Sequence, residues 1–540
     1  MWVFSTAGCR WLGAAGSLAV TAGGWAAGTL PVRGGAGLWQ PHGTGVTVAG
    51  SVVASLGLTL LIVAWWQYGR VLRAERAGAT GGGSRGGRGG VTGGGSRGGR
   101  GGATGGGSRG GRGGGEGAGP GVGGRGPLVT LGWWIAPLLL APPLYSADVY
   151  SYIAQGAMVL EGHDVYGAGP AVLAPGELGH DAAASVGGHW TDTPAPYGPV
   201  FLLLAQAVVA VTGGAVVPAV LGMRLVALLA LALIAWAVRG LAPEGRRDGA
   251  LWLAALNPLV IVHVVGGMHN DGLMAGLLLA GVLLAGRRGR WWPVAGGAVI
   301  GLAMMVKSPA ALGLLFVGIV VARRRGGVAG LAKGLLPGAV AVAVAALASV
   351  AADTGFGWLR TQGVAANIHT ALSVTSDLGL GLGLLVADDP DPVKGVVQKL
   401  GLLAAGAIVA TIAWRVAKGR LDPVLGLGVA LLALVALSPM VQPWYALWGT
   451  VVVAAAGAWD GRGGQLLAVL CAALTYETAP SGHTPAYGFA LAGVVLAAGV
   501  FWARRESWGE PAAAPGGAPV PGPRPVPGGA VSPRARARGR

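Results

Sequence analysis

The sequence predicts an all-α, polytopic transmembrane helical bundle of about 14 spans, and three observations predict it. First, 53% of the 540 residues are hydrophobic and only 11% are charged, with a mean hydropathy of +0.61. Second, apolar runs of roughly 15–23 residues recur along the chain, about what a helix needs to cross a bilayer. Third, basic residues collect in short turns at alternate ends of those runs, the pattern that marks a cytoplasmic side. Period-two alternation is absent, which argues against an outer-membrane barrel. The net charge of +17 invites a nucleic-acid reading. The basic residues, however, sit in a glycine-rich linker, in helix-end turns and in the tail, so no nucleic acid is expected as a partner. Cys9 and Cys471 stand far apart in or near apolar segments; they give no metal spacing and no disulfide framework, and read as packing residues.

The elements follow in order. Residues 1–66 hold two apolar helices, 11–30 and 46–66, the second ending in Arg70, Arg73 and Arg76 on the cytoplasmic side. Residues 67–127 read as a disordered cytoplasmic linker in which Thr80–Val91 opens a twelve-residue Gly/Arg repeat that recurs at 92–103 and 104–115. An RNA-binding or lipid-headgroup-binding role is one reading of that repeat, and a tolerated expansion is the plainer one. Its arginines orient the rest. Helix 128–144 runs outward, so residues 145–197 form a first large outer loop. The next apolar run, 199–212, cannot cross without breaking the charge rule, because 216–238 must run inward to Arg239, Arg246 and Arg247. It is therefore expected to be a re-entrant or interfacial helix. Spans then alternate at 250–265, 271–286, 292–306, 309–322 and 331–351, with a long outer loop at 352–395. They resume at 396–416, 422–438, 443–459, 464–477 and 486–503. The tail 506–540 reads as disordered and cytoplasmic, so both termini lie inside a plasma membrane whose lipids surround domain 128–505.

With that topology drawn, unusual polar residues gather on the outer face. They are Asp148, Asp164, Trp190, Asp192 and Tyr197 in the first loop, then His269-Asn270-Asp271, Lys307-Ser308, and Gln442 with Trp444-Tyr445. Arg360, Asn367, His369 and Asp377 lie in the long loop, and Arg224 sits just inside a helix near the same face. Charges at membrane depth are costly and mark functional candidates. Each also has a plainer reading. Asp148 can cap a helix, Asp164 can shape a turn, and His269-Asn270-Asp271 can be a tight turn with a cap. Lys307 and Arg224 can snorkel, and Trp444 with Tyr445 fits an interfacial aromatic belt. Their convergence on one face is what carries weight. No nucleotide sugar is available there, so a transferase would draw on a polyprenyl phosphate sugar. Its phosphate needs cations such as Lys307, Arg224 or Arg360, and its acceptor hydroxyl needs a carboxylate base. A transporter or lipid flippase with proton-relay carboxylates is the rival reading. It sits less well with ionisable groups at one face and no repeat among the helices.

The motif Asp148-Val149-Tyr150-Ser151-Tyr152, with Gln155-Gly156, Gly162-His163-Asp164-Val165-Tyr166 and Tyr197-Gly198-Pro199, resembles the GT-C superfamily of polytopic glycosyltransferases. More closely it resembles the actinobacterial polyprenol-phosphomannose-dependent alpha-1,6-mannosyltransferases. The likeness continues through Leu256-Asn257-Pro258, Gly267-Met268-His269-Asn270-Asp271, Lys307-Ser308-Pro309 and Ser438-Pro439, then Gln442-Pro443-Trp444-Tyr445. It implies a GT-C-like fold and an inverting transfer of mannose from polyprenyl phosphate mannose to a lipid-anchored mannan acceptor, forming an alpha-1,6 linkage without metal or cofactor. It implies an acidic base just after a span in the first outer loop, a place that Asp148 occupies. Lys307, Arg224, His269, Asp271 and Arg360 are then candidates for the donor's phosphate and sugar. Tyr150, Asp164, Trp190, Tyr197, Gln442, Trp444 and Tyr445 are candidates for the acceptor or for sugar stacking. The chain departs from the family pattern at His163-Asp164-Val165, where Asp-Pro is expected after the glycine.

Overall fold

The computed structural model describes residues 4–82, 125–364 and 368–508, and among these there are only helices and their connecting turns. Helix α1 (Thr6–Ala27) starts at Ser5, whose hydroxyl accepts the Gly8 N–H at 3.1 Å. It packs along α2 (Thr44–Gly82) with almost no space between the backbones. A Cβ on Gly16 would stand 2.7 Å from the Gly57 carbonyl oxygen, and one on Gly23 would stand 2.4 Å from that of Gly50. Small residues allow this approach, which replaces side-chain packing with backbone contact.

Helix α2 corrects the linker boundary expected at residue 67, since it runs for 39 residues to Gly82. Tyr68 and Leu72, one helical turn apart, are both buried and hold the extension down. Arg73 stacks over Trp252 at 5.4 Å, and Arg76 pairs with Asp460. Two turns before Arg73, Trp65 and Trp252 stack at 4.8 Å and donate their indole N–H groups to each other's carbonyls at 2.9 and 2.7 Å. Nearly all of the Gly/Arg repeat and the tail expected beyond residue 506 lie outside the described residues.

Helix α3 (Arg125–Ile135) continues as a 3-10 turn, Ala136–Leu140, and an extended stretch leads into α4 (Asp148–Leu160). After a loop of short turns come α5 (Pro199–Thr212) and α6 (Val216–Leu241). Gly213 and Gly214 reverse the chain between them, with φ of 63° and 72° in the left-handed region that favours glycine. Helix α5 is therefore one arm of a tight hairpin, with Val208 against Gly222.

Residues 250–265 do not form the straight span expected. Helix α7 (Arg247–Ala254) gives way at Asn257-Pro258 to a short turn, Pro258–Val260, and a π-helical segment, Ile261–Gly266, with a bend of 50°. Proline cannot donate to the preceding turn and its ring clashes with it. Asn257 covers the break: its side chain accepts the Leu259 N–H at 3.0 Å and donates to the Leu253 carbonyl at 3.2 Å.

The remaining helices are α8 (Asp271–Gly286), α9 (Trp292–Met304), α10 (Leu312–Arg325) and α11 (Gly327–Ala351). Then follow α12 (Val374–Val386), α13 (Asp391–Ala417) and α14 (Pro423–Ala436). Helices α15 (Leu447–Ala455), α16 (Arg462–Leu474) and α17 (Ala486–Trp508) complete the chain. Helix α12 stands where a long loop, 352–395, was expected. Ser373 caps it by accepting the Ser376 N–H at 3.3 Å, and Gly379 and Gly383 bring it onto α13. Four of the described helices are long and apolar enough to cross a membrane, and the bent pair makes up to five; the other apolar helices have only 10–17 residues. At about 1.5 Å per residue these are shorter than a bilayer core of about 30 Å unless their flanking turns share the crossing. The expected count of fourteen spans is therefore not matched helix for helix.

Two helices define the ends of the bundle. Helix α8 begins at Asp271 and finishes at Gly286, whose carbonyl meets Arg324. Helix α10 begins just after Lys307-Ser308 and finishes in Arg323-Arg324-Arg325. The polar turns and the arginine-bearing turns thus lie at opposite ends of the same helices.

Candidate active site

Asp148 is the first residue of α4, reached through a strained turn. Tyr145 has φ of 62° and Met268, just before His269, has φ of 55°. Residues with side chains avoid this region, and each such exception costs about 1–3 kcal/mol. The two turns are laced together: Leu144 N–H donates to the Gly266 carbonyl at 3.1 Å, and Tyr145 N–H to the Pro480 carbonyl at 2.9 Å. Asp148 does not cap α4. Its own N–H donates to Ser146 Oγ at 3.1 Å, and its carboxylate turns outward. Its Oδ2 lies 3.3 Å from His269 Nδ1 and accepts the Tyr152 hydroxyl at 3.4 Å. Burial pushes this carboxyl's pKa up, but His269, Lys307 and Ser146 outweigh burial and hold it below the ordinary carboxylate value. The start of α4 adds a favourable field for the anion.

His269 is buried, and the Trp444 indole stacks on it at 3.7 Å. Asp271 is 1% exposed, and its Oδ1 accepts from Lys307 Nζ at 2.8 Å and from Trp448 Nε1 at 2.6 Å. The Lys307 ammonium also lies over Tyr445, at 4.4 Å, and near Trp448 and Tyr197, at 5.5 and 5.9 Å. Burial opposes its charge, yet Asp271, Tyr445 and Asp148 together raise its pKa above the ordinary lysine value. The result is a fixed cation beside a fixed carboxylate.

Lys307 and Asp148 open into a cavity of about 610 Å³. Its lining joins polar and aromatic side chains, those of Asp148, Tyr197, Lys307, Gln442, Trp444 and Tyr445, with the apolar ones of Leu312, Leu402, Leu434 and Met440. Trp190 lines the cavity too, so seven of the residues expected at the site surround one space. His269 and Asp271 do not line it; they pair with Asp148 and Lys307, which do. Among the described residues, no group of three or more His, Cys, Asp or Glu side chains is placed to hold a metal ion.

The other expected residues do not line this cavity. Arg224 is buried away from the cavity and donates to the carbonyls of Leu139, Ala141, Pro142 and Val265 at 2.5–3.3 Å. These carbonyls sit where helical bonding breaks off, and an arginine's five donors satisfy several at once. Tyr150 is buried with its hydroxyl on the Thr29 carbonyl at 2.6 Å. Asp164 closes its own turn, accepting the Tyr166 N–H at 3.0 Å. Arg360 is exposed next to Thr361 and Gln362, which line the cavity. His369 and Asp377 pair with each other at 2.7 Å, half exposed, and Asn367 lies outside the described residues.

Sequence reasoning missed Trp448, one helical turn beyond Trp444, where spacing alone gave a usable signal. It also missed His263, which the π-helical segment buries against Trp444 and His269 at 5.1 and 5.5 Å between rings. A straight helix would have given no reason to place it there.

Comparison with known proteins bears on what this cavity does. A family model described as alpha-(1->6)-mannopyranosyltransferase, N-terminal domain, matches residues 111–323, and one described as MptB C-terminal domain matches 369–505. The chain is 39% identical over 378 residues to a probable alpha-(1->6)-mannopyranosyltransferase of Mycolicibacterium smegmatis, covering 63% of this chain and 66% of that one. It is 35% identical over 359 residues to alpha-(1->6)-mannopyranosyltransferase B of Corynebacterium glutamicum, covering 62% and 58%. Alpha-(1->6)-mannopyranosyltransferase A of the same organism is 30% identical over 344 residues, covering 58% and 68%. The chain thus spans just under two thirds of the length of the first of these relatives. No solved structure matches it.

Proposed function

The chain belongs to the alpha-(1->6)-mannopyranosyltransferase family, and from that premise we propose that it moves mannose from polyprenyl phosphate mannose to a lipid-anchored mannan acceptor. The transfer inverts the anomeric centre and forms an alpha-1,6 linkage on the extracytoplasmic face of the membrane. The observation that carries the reading is the mixed lining of one cavity, where the Asp148 carboxylate and the Lys307 ammonium share a space with apolar Leu312, Leu402, Leu434 and Met440.

Each part has a task. The donor's isoprenoid lies along Leu312, Leu402 and Leu434, so its phosphate comes to rest at Lys307. Trp444, Tyr445 and Trp190 offer faces for sugar rings. The 6-hydroxyl of the acceptor mannose attacks C1 of the donor mannose from the side opposite the phosphate. As the new C1–O bond forms, the acceptor proton passes to Asp148 and the C1–O–phosphate bond breaks. The polyprenyl phosphate departs with the bonding electron pair, and Lys307 stabilises the charge that develops on it. His269 and Tyr152 hold the Asp148 carboxylate in position, and Asp271 and Trp448 do the same for the ammonium. Support for the extracytoplasmic side comes from the arginine turns, which stand at the far ends of α8 and α10. A multi-pass bundle of about 14 spans fits this reading if flanking turns complete the short helices.

The test uses the full chain in vesicles with radiolabelled polyprenyl phosphate mannose and a short alpha-1,6 mannoside. Transfer with inversion is expected in wild type and its loss is expected in Asp148→Asn. Full activity in an inserted Asp148→Asn protein would reject Asp148 as the base.

A further inference from the structure

We propose that a second cavity, at the arginine-bearing end of the bundle, binds the phosphate headgroup of an anionic phospholipid. It measures about 660 Å³ and lies among the C-terminal ends of α8 and α10, the first turn of α9 and the second and third turns of α11. Arg287, Arg288, Arg290, Arg324, Arg325 and Lys333 line it, and no carboxylate does. This site is independent of the sugar-transfer reading.

These six cations are exposed, and they differ from another arginine group of the chain in having no counter-charge. Near Trp459, Arg76 and Arg246 both reach Asp460, and Arg247 reaches Glu244. That group carries its own counter-charges. Among the described residues, none of the six cations around the second cavity pairs with a carboxylate. Like charges gathered around one concavity create a field that favours an anion.

Three of the six cations have contacts that hold them. Arg287 stacks on Trp292 at 4.8 Å and Arg290 on Trp291 at 4.9 Å, while Arg324 donates to the Gly286 carbonyl at 3.3 Å. Stacking leaves guanidinium edges free for bidentate contact with phosphate oxygens and lowers the ordering cost of binding. The rim is apolar. Trp291 is 67% exposed and Leu336 43%, and Val294 and Val321 line the cavity with them. A phosphate bound here would have its attached chains beside these residues, at the depth where tryptophans favour a membrane interface. A free phosphate would use the guanidinium edges alone.

The experiment measures thermal unfolding and native mass spectra of the purified full chain in detergent with phosphatidylglycerol, phosphatidylcholine or inorganic phosphate. Phosphatidylglycerol alone is expected to raise the unfolding temperature and to remain bound. The variant Arg288→Gln/Arg290→Gln/Lys333→Gln should lose at least tenfold in that affinity. Equal effects of the two lipids, or wild-type affinity in the variant, would overturn the proposal. So would full stabilisation by inorganic phosphate, which would make this a soluble-anion site. Should the triple variant not fold, quenching by dibrominated phosphatidylglycerol decides. Trp291→Phe should remove a saturable part of the quenching seen in wild type, and no change would count against the site.

Discussion

At Asp148, burial and charge pull in opposite directions, and charge wins. The folded pKa is lowered, so the carboxylate adds stability above its ordinary value of about 3.9 and loses it as pH falls through the lower folded value. Activity should therefore persist well into the acid range. Asp148→Asn should reduce turnover by about 10²–10⁴-fold, the usual worth of a positioned base, and flatten the acid limb of unfolding. Lys307 has the opposite sign. Its raised pKa gives stability that is fully present below about pH 10.4 and lost as pH rises through the higher folded value. Asp271 leads to a sharper expectation. Removing the charge of a buried pair leaves its partner uncompensated, so Asp271→Asn should cost about 3–5 kcal/mol. If Asp271 acts by positioning Lys307, the variant should also raise the donor KM more than it lowers kcat, measured with labelled donor. An unchanged donor KM would show that Asp271 serves folding alone. The residue types of this site were legible in sequence, and so was their sharing of one end. Their division of labour was not, because a carboxylate that touches substrate and one that holds a lysine look alike in a string of letters.

At the scale of elements, the close pair α1–α2 and the broken span give the clearest expectations. A Cβ on Gly57 would stand 2.6 Å from the Gly16 carbonyl oxygen, with backbone that cannot move aside cheaply. Gly57→Val should therefore destabilise the pair by about 1–3 kcal/mol, read as a lower unfolding temperature in detergent. Asn257 satisfies two backbone groups where the chain bends by 50°. Asn257→Leu leaves both unpaired, at about 1–3 kcal/mol each, and should lower activity as well, since the π-helical segment delivers His269. An unchanged turnover would mean that the bend does not position the site. Both this break and α12 escaped sequence reading for physical reasons. An apolar run is compatible with α- or π-helical winding until packing chooses. In α12 the alternation of glycine and leucine from Gly379 to Leu384 masks the 3.6-residue period. The extension of α2 past residue 67 rests on Tyr68 and Leu72 alone among large apolar residues, and the arginines and glycines after them carry no apolar period.

For the whole molecule the question is sidedness. Cys9 and Cys471 are buried, so single cysteines can be introduced against a quiet background. A charged, impermeant maleimide should label Gly363→Cys, at the large cavity, in intact cells. Ala329→Cys, exposed in the first turn of α11, should label only after permeabilisation. Labelling of both from one side would remove the extracytoplasmic site. Solvent, class and family are written in the residues: apolar runs demand a membrane, basic turns bias which end faces inward, and the aspartate, histidine and Pro-Trp-Tyr motifs carry the family likeness. Which polar residues share a space depends on the folded arrangement of the helices. That arrangement puts Arg224 on backbone carbonyls, keeps Asp164 in its own turn, and sets Lys307 between Asp271 and the aromatic rings. The reason is that cost and reward for a buried charge depend on what lies within a few ångströms, and in a bundle of helices those neighbours come from distant stretches of chain.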